Sequence, residues 1–499
     1  MENSKLLLGA AFGALVLTSI TALAQPAPAP GAPPAAGGRG AAAPEVPPVS
    51  EEYLLLGSAT RGAGEPMIAV DPLDPKTIAV VGMANLLQTP KPVAQIPGST
   101  ITQLALTHDG GASWTISELP MRSGDLVRCP DPLMDVTKDG NFIGGCEPIQ
   151  ATVPRYGESA ISVSTDKGEH WGPVVETISS LSMARYAPGL KPVFLNSLPF
   201  DRPFTYVDDS TGAIYMQGAG GQTSADAPAG QSRPQGYITA STNGGKSFGT
   251  IYSWDSKDYM QASRGLSMTA GHGEAAVVYV AAHVPAKENA TCPCLVMGIT
   301  KDLGKTFDYH VLKNFTPVAA PPAAGGGGAR PGPNGNPATG GFAGMSADFT
   351  KAGRYASLKY TVENGQPLYS VTVSDDHGKT WSPFVSAGKV PGATYFDRQL
   401  AFQFGRNGVL AVAWRAVYAD GSYDVWSSLS KDGGHTFSES LKVSHAKSPP
   451  SVYLRSAQQN DDVVDLSMDN DNVHMVWGDN RAGFLGTWYG RVALSSYKF

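Results

Sequence analysis

SDDHGKTW occupies residues 374–381, directly after the apolar run LYSVTV. Nearly the same eight residues recur five more times, as THDGGASW (107–114), STDKGEHW (164–171), STNGGKSF (241–248), TKDLGKTF (300–307) and SKDGGHTF (430–437). The shared template is S/T-x-D/N-x-G-x-x-W/F. Each fixed residue has a local task. The Ser or Thr ends a strand, and the Asp (Asn243 in the third copy) caps a tight turn by accepting backbone N–H groups. The Gly takes the positive φ that other residues resist. The aromatic opens the next strand and pins the turn onto the sheet. The motif is therefore a hairpin turn used six times.

Successive copies start 57, 77, 59, 74 and 56 residues apart. The two long intervals contain the Gly/Pro/Ala-rich stretches 218–236 and 317–341, which read as low-complexity loops. A second repeat alternates with the first. It is a strand–turn–strand unit found at 65–83, 131–145, 201–218, 264–282, 344–362, 397–414 and 461–477. One hairpin of each kind makes a four-stranded sheet, and a tandem array of such sheets predicts a β-propeller. The fold class is all-β, with seven blades. The seventh has an opening hairpin and a third strand at YGRVALSS (489–496) but no fourth strand of its own. EYLLLGS (52–58) precedes the first blade without a partner, so it is expected to supply that outer strand and close the ring. Six blades is the alternative count. Two separate β-sandwiches would not produce so regular a period.

The motif resembles the Asp-box, or BNR repeat, of the sialidase (neuraminidase) superfamily, over about residues 52–499. In that superfamily the boxes lie on the outer rim and stabilise turns. The resemblance therefore makes Asp109, Asp166, Asn243, Asp302, Asp376 and Asp432 structural. It implies action on, or recognition of, glycans at the axis of the propeller. A sialidase grips the sugar carboxylate with three arginines and uses an Asp acid/base with a Glu-activated Tyr. This chain lacks the family's Arg-Ile-Pro signature, since Arg61 is followed by Gly-Ala, and no arginine triad can be assigned residue by residue. Catalytic sialidases also have six blades. Asp-box propellers serve as assembly factors and receptors too, so a non-catalytic glycan- or protein-binding role is the alternative.

The candidate site is a ring of polar residues where the opening hairpins begin. Asp131, Asp201, Asp397 and Asp461 are the candidate acids and bases, because carboxyl groups crowded in a funnel raise one another's pKa. Glu65, Arg128, Arg202, Arg264 and Arg398 are the candidate substrate-binding residues, the arginines suiting a carboxylate, sulfate or uronate. The competing reading is that such Asp–Arg pairs hold neighbouring blades in register. GDNR (478–481) reads first as a turn. His108, His170, His377 and His435 lie in or beside boxed turns and are expected to be solvated. His272, His283 and His474 are expected to be satisfied surface or strand residues.

Composition bounds the rest. The chain has 499 residues, a formal charge of −6, 58 Gly and 39 Pro. That gives no basic footprint for nucleic acid. Residues 1–24 read as a signal peptide, with Lys5, the apolar stretch 6–24 and the small-residue site Ala22-Leu23-Ala24. An uncleaved anchor is the alternative. Residues 25–49 form a Pro/Ala/Gly-rich linker, leaving 50–499 for the propeller. Export to a periplasm or the medium permits disulfides. Cys129 and Cys146 bracket a hairpin and suit a cross-strand bridge, whereas Cys292-Pro-Cys294 closes on itself or stays reduced. Zinc-ligand spacing is absent, so no metal is expected. No phosphate-binding loop appears, no cofactor is expected, and a monomer acting on a glycan or acidic saccharide is the expected state.

Overall fold

The boxed turns explain themselves in the computed structural model, which describes residues 50–86, 100–121, 126–150, 159–178, 201–222, 233–262, 266–316, 340–397, 400–450 and 463–499. In the fifth box Ser374 Oγ accepts from the Gly378 N–H (2.9 Å) and bonds Asp376 Oδ1 (2.9 Å). Asp376 also accepts from the Thr380 N–H (2.8 Å) and the Thr380 hydroxyl (2.6 Å). The same arrangement recurs around Asp109, Asp166, Asn243, Asp302 and Asp432. The residue before the aromatic is thus a working part of the motif (Ser113, His170, Ser247, Thr306, Thr380 and Thr436). The sequence template leaves that position blank. All six motif glycines have positive φ, from 76° at Gly378 to 96° at Gly434.

These bonds set the acid stability of the fold. The backbone N–H and imidazole of His170 hold the Asp166 carboxyl down at about 2. The hydroxyl and N–H of Thr380 do the same for Asp376, also to about 2. A carboxyl lowered in the fold stabilises it above the unfolded value, and the contribution disappears as pH falls through the folded value. The thermal midpoint is therefore expected to drop between about pH 4 and about pH 2. Asp376→Asn, with an acceptor but no charge, should soften the drop. A melting curve indifferent to pH across that window would refute the assignment.

The strands assemble into seven antiparallel sheets, so the count of seven blades is correct. Blade 1 runs Arg61–Val70, Ile78–Leu86, Thr100–Thr107 and Thr115–Glu118 from inner to outer strand. The inner strands of blades 2 to 7 include Leu133–Val136, Asp201–Asp208, Ser267–Gly271, Phe342–Ala347, Ala401–Phe404 and Val464–Met468. Two boundaries move. In blades 4 and 6 the inner edge begins earlier, at Met260–Gln261 and Tyr395–Phe396, each pairing with the blade's second strand. The stretch 218–236 is also not all loop: strands continue to Gln222 and resume at Arg233. Glycine persists in this sheet because Trp254 lies flat against it; a Cβ on Gly236 would come within 1.6 Å of the indole.

Blade 7 closes as expected. Glu51–Leu56 pairs antiparallel with Gly486–Ala493, with Glu51 opposite Arg491 and Leu56 opposite Thr487. That third strand begins three residues earlier than 489–496 predicts, and Leu494–Ser496 form a short 3-10 turn. The closing strand also grips blade 1. Tyr53 Oη donates to the Gly111 carbonyl (3.0 Å) and accepts from Trp114 Nε1 (2.8 Å), both in the first box. GDNR is part of the same closure. Arg481 bonds Asp479 (2.9 Å) and Glu52, and its guanidinium lies 3.9 Å over the Trp488 ring. Seven apolar clusters fill the seven gaps between neighbouring blades, such as Tyr369, Phe396 and Trp414 between blades 5 and 6. The core is therefore a ring of interfaces rather than one central mass. No helix among the described residues is long and apolar enough to cross a membrane. The signal peptide and linker, 1–24 and 25–49, lie outside the described residues.

Candidate functional site: the axial channel

An inner strand has a β-partner on one side only, so its other edge presents free backbone N–H groups toward the axis. Side chains of the preceding blade supply the acceptors. Asp465 Oδ2 accepts from the Ile68 N–H (2.9 Å) and Ser467 Oγ from the Val70 N–H (3.2 Å). Thr269 Oγ1 serves Ala347 (2.9 Å) and Ser346 Oγ serves Phe404 (2.9 Å). This requirement makes the axis polar. The strands enclose a channel of about 410 Å³ lined by all seven blades. Phe204, Tyr206, Phe402 and several methionines make its apolar wall, while Asp135, Asp465 and Gln403 make its polar one.

Asp135 and Asp465 are the chemically notable pair. Both line the channel, yet sit deep within the molecule. Burial pushes the Asp135 carboxyl up to about 6, against the pull of the Val136 N–H and the Arg406 guanidinium. Burial pushes Asp465 up to about 7, with the Asp135 charge adding to the rise. Burial and the same two carboxylates also raise the Tyr206 phenol, so it stays protonated. Between about pH 6 and about pH 7 Asp465 is therefore the more protonated of the two and Asp135 the more ionised, the division of labour that acid/base catalysis needs.

The sequence-predicted residues lie elsewhere. Glu65 lies within the blade 1 inner strand at a register shift, and Asp131 just before the blade 2 inner strand, each before a proline and each with positive φ (47° and 48°). Such backbone is costly for a non-glycine residue and persists only where the surroundings impose it. At Asp131 the surroundings include the Cys129–Cys146 disulfide and a bond from the Glu147 N–H to the Pro130 carbonyl (2.9 Å). That bridge ties the lead-in segment to the second strand of blade 2. Cys292 and Cys294 are bonded to each other. Arg128 Nε donates to Thr100 Oγ1 (3.3 Å). Asp397 lies 2.9 Å from the fully buried Arg415 guanidinium of the same blade, a tie within blade 6 and not between neighbouring blades. None of Glu65, Arg128, Asp131 and Asp397 lines the channel. Asp201 and Arg202 open the blade 3 inner strand, but their side chains are outside the described residues, as are Arg264, Arg398 and Asp461 entirely.

Sequence reasoning missed Asp135 and Asp465 because it searched where the hairpins begin. The available signal was a lone carboxylate within a short apolar strand, in LMDV and VDLSM, at a position whose alternation points it to the axis. His377 also differs from expectation, while His108 is exposed as expected. His377 Nδ1 bonds the buried Glu274 (2.9 Å), which takes a second bond from Tyr355 Oη (2.6 Å). Burial and the Glu274 charge push that phenol well up, and the pair ties blade 4 to blade 5. His108 Nε2 lies 2.7 Å from Glu169. His474 is buried between Tyr489 Oη (2.7 Å) and Asp469 (2.9 Å), a satisfied strand residue. No group of three or more His, Cys, Asp or Glu among the described residues is placed to hold a metal ion.

The family model for the BNR/Asp-box repeat matches residues 372–383, which contain the fifth box. Comparison with curated protein sequences gives no match. Among solved structures, a Dyadobacter fermentans protein of unknown function is 10% identical, with 88% of this chain and 97% of that chain covered and a TM-score of 0.46. The Hadza microbial sialidase Hz136 is 16% identical over 80% and 74% of the two chains, with a TM-score of 0.40. NanB sialidase from Streptococcus pneumoniae is 9% identical over 91% and 100%, with a TM-score of 0.42. With six boxed turns and seven sheets, one of them closed by the chain's early strand, this protein is a seven-bladed β-propeller, and its fifth boxed turn matches the BNR/Asp-box repeat.

Proposed function

We propose that the protein is an exported, monomeric glycan-acting propeller, periplasmic or secreted. In this reading it is a glycoside hydrolase with Asp135 and Asp465 as its acid/base pair. The carrying observation is that these two carboxyl groups, at about 6 and about 7, share one channel with aromatic walls. Sugars present hydroxyl groups to carboxylates and C–H faces to aromatic rings, and concave sites of mixed lining suit them. Most glycoside hydrolases use two carboxyl groups in opposite protonation states. Asp131, Asp201, Asp397 and Asp461, with Glu65, Arg128, Arg202, Arg264 and Arg398, remain in this reading candidates for contacting a substrate that extends beyond the channel, the arginines suiting an acidic saccharide. The second reading is a non-catalytic glycan- or protein-binding propeller. It is favoured by the Asp465 bond to Ile68, a structural duty that needs no substrate.

Purified protein assayed on a panel of glycosides, sialosides and uronides included, separates the readings. Turnover is expected to follow a narrow bell. Below about pH 6 both acids are protonated, and above about pH 7 both are ionised. Asp135→Asn and Asp465→Asn each keep a hydrogen-bond acceptor and so should fold. Each is expected to lower kcat by about 10²–10⁴-fold. Asp201→Ala and Asp397→Ala probe two of those candidates. Turnover that survives both Asn substitutions rules out the catalytic reading, and binding without turnover establishes the module.

A further inference from the structure

Arg406 belongs to the inner turn of blade 6, yet it reaches across the axis. Its Nε donates to Asp209 Oδ2 (2.6 Å) and its Nη2 to Asp209 Oδ1 (3.1 Å), a two-pronged pair with the corresponding turn of blade 3. Nη2 also donates to the Val136 carbonyl (2.7 Å), at the end of the blade 2 inner strand. The guanidinium lies 5.6 Å from the centre of the Phe349 ring of blade 5. One side chain thus connects four of the seven blades, at the end of the channel where inner strands turn back. Arginine suits the task because its planar fork fixes two bonds to one carboxylate and still presents a donor elsewhere.

The Val136 contact matters because of its neighbour. The Val136 N–H donates to Asp135 Oδ1 (2.7 Å). Arg406 therefore holds, by its carbonyl, the residue whose N–H orients the channel carboxylate. We infer that Arg406 is a positioning residue: it bars one end of the axial channel, so that ligands enter from the other, and it fixes the orientation and charge of Asp135. Its role in turnover rests on the acid/base reading above; its effect on Asp135 does not. Among the described residues, the charged and titratable groups facing Asp135 are Arg406 and Asp209 from the two turns, Tyr206 from blade 3 and Asp465 from blade 7. Arg406 is the only cation among them. Removing it leaves Asp135 beside two carboxylates, and the protonated form should gain.

The test titrates ¹³C-labelled aspartate carboxyls by NMR, with the Asp135 signal identified by its loss in Asp135→Asn. In Arg406→Met the Asp135 midpoint is expected to rise by at least about one pH unit, the usual influence of a cation a few ångströms away. Asp465 should move less. Arg406→Lys keeps the charge and loses the fork, so it should hold the midpoint near the wild-type value while broadening the Asp135 signal. If Arg406→Met fails to fold, Asp209→Asn, which releases the fork, provides the second variant and should move Asp135 measurably. An Asp135 midpoint unchanged in both Arg406→Met and Asp209→Asn overturns the inference. On any glycoside that the wild type turns over, Arg406→Met should shift the acid limb of the pH profile upward with little change in KM. A failed glycoside screen leaves the NMR result standing by itself.

Discussion

A chain beginning at residue 59 instead of residue 50 is expected not to close, and to be recovered aggregated or unfolded. The segment removed contributes the whole outer strand of blade 7. With it go the burial of Leu56, which is 2% exposed, and Tyr53's bonds to the first box. A fully buried leucine alone contributes about 1.5–3 kcal/mol. The larger effect is topological. The cluster joining blades 7 and 1 contains Leu56, Val476 and Tyr489 from one side and Ala63, Val80 and Ala105 from the other. The chain joins blade 7 to blade 1 through the closing strand and the short turn after it, so the shortened chain loses that link together with the strand. Without the strand, Gly486–Ala493 becomes a bare edge, a ready template for intermolecular pairing. A synthetic peptide of residues 50–58 added during refolding should restore a monomeric species by size-exclusion chromatography. Folding of the shortened chain to the same melting temperature without the peptide would show that closure is dispensable.

Arg481→Ala should be the most damaging single substitution at the same seam. Arg481 bonds Glu52 and Asp479, whose side chains are 2% and 0% exposed. Its removal leaves two carboxylates in a largely dry site, and stranding buried charge in this way costs about 3–5 kcal/mol. The Trp488 face loses its cation as well. By contrast, Arg491 pairs with Glu51, which is 61% exposed, so breaking that pair should cost at most about 1 kcal/mol. Denaturant titration of both variants beside wild type reads the difference directly. Equal losses would mean that the seam depends on strand pairing alone. A double substitution, Arg481→Met with Glu52→Gln, should recover part of the stability, because replacing a buried pair is gentler than halving it.

Most of the architecture was legible in the chain because its causes are local. A Ser or Thr, an Asp, a Gly and an aromatic at fixed spacing dictate a turn whatever surrounds them. Six such turns with seven interleaved hairpins leave one strand short, and EYLLLGS supplies it. What was misread was local too. The Gly-rich strand ends of blade 3 looked like loop because glycine signals turns, yet at Gly236 it is the Trp254 indole that leaves no room for a side chain. The site was less legible. Glu65, Arg128, Asp131 and Asp397 advertise themselves as charged residues where strands begin, yet Asp397 is held by Arg415 and none of the four lines the channel.

The sequence by itself determined the repeat, the blade count, the closing strand and the structural duty of the boxed aspartates, since each follows from residues within a few positions of one another or from simple counting. Only the tertiary structure decided what occupies the axis. Asp135, Asp465 and Arg406 come from blades 2, 7 and 6, more than 50 residues apart in the chain at the nearest. Their chemistry arises from being brought into one narrow, poorly solvated space, where the cost of charge depends on every neighbour. That cost is a property of the closed ring.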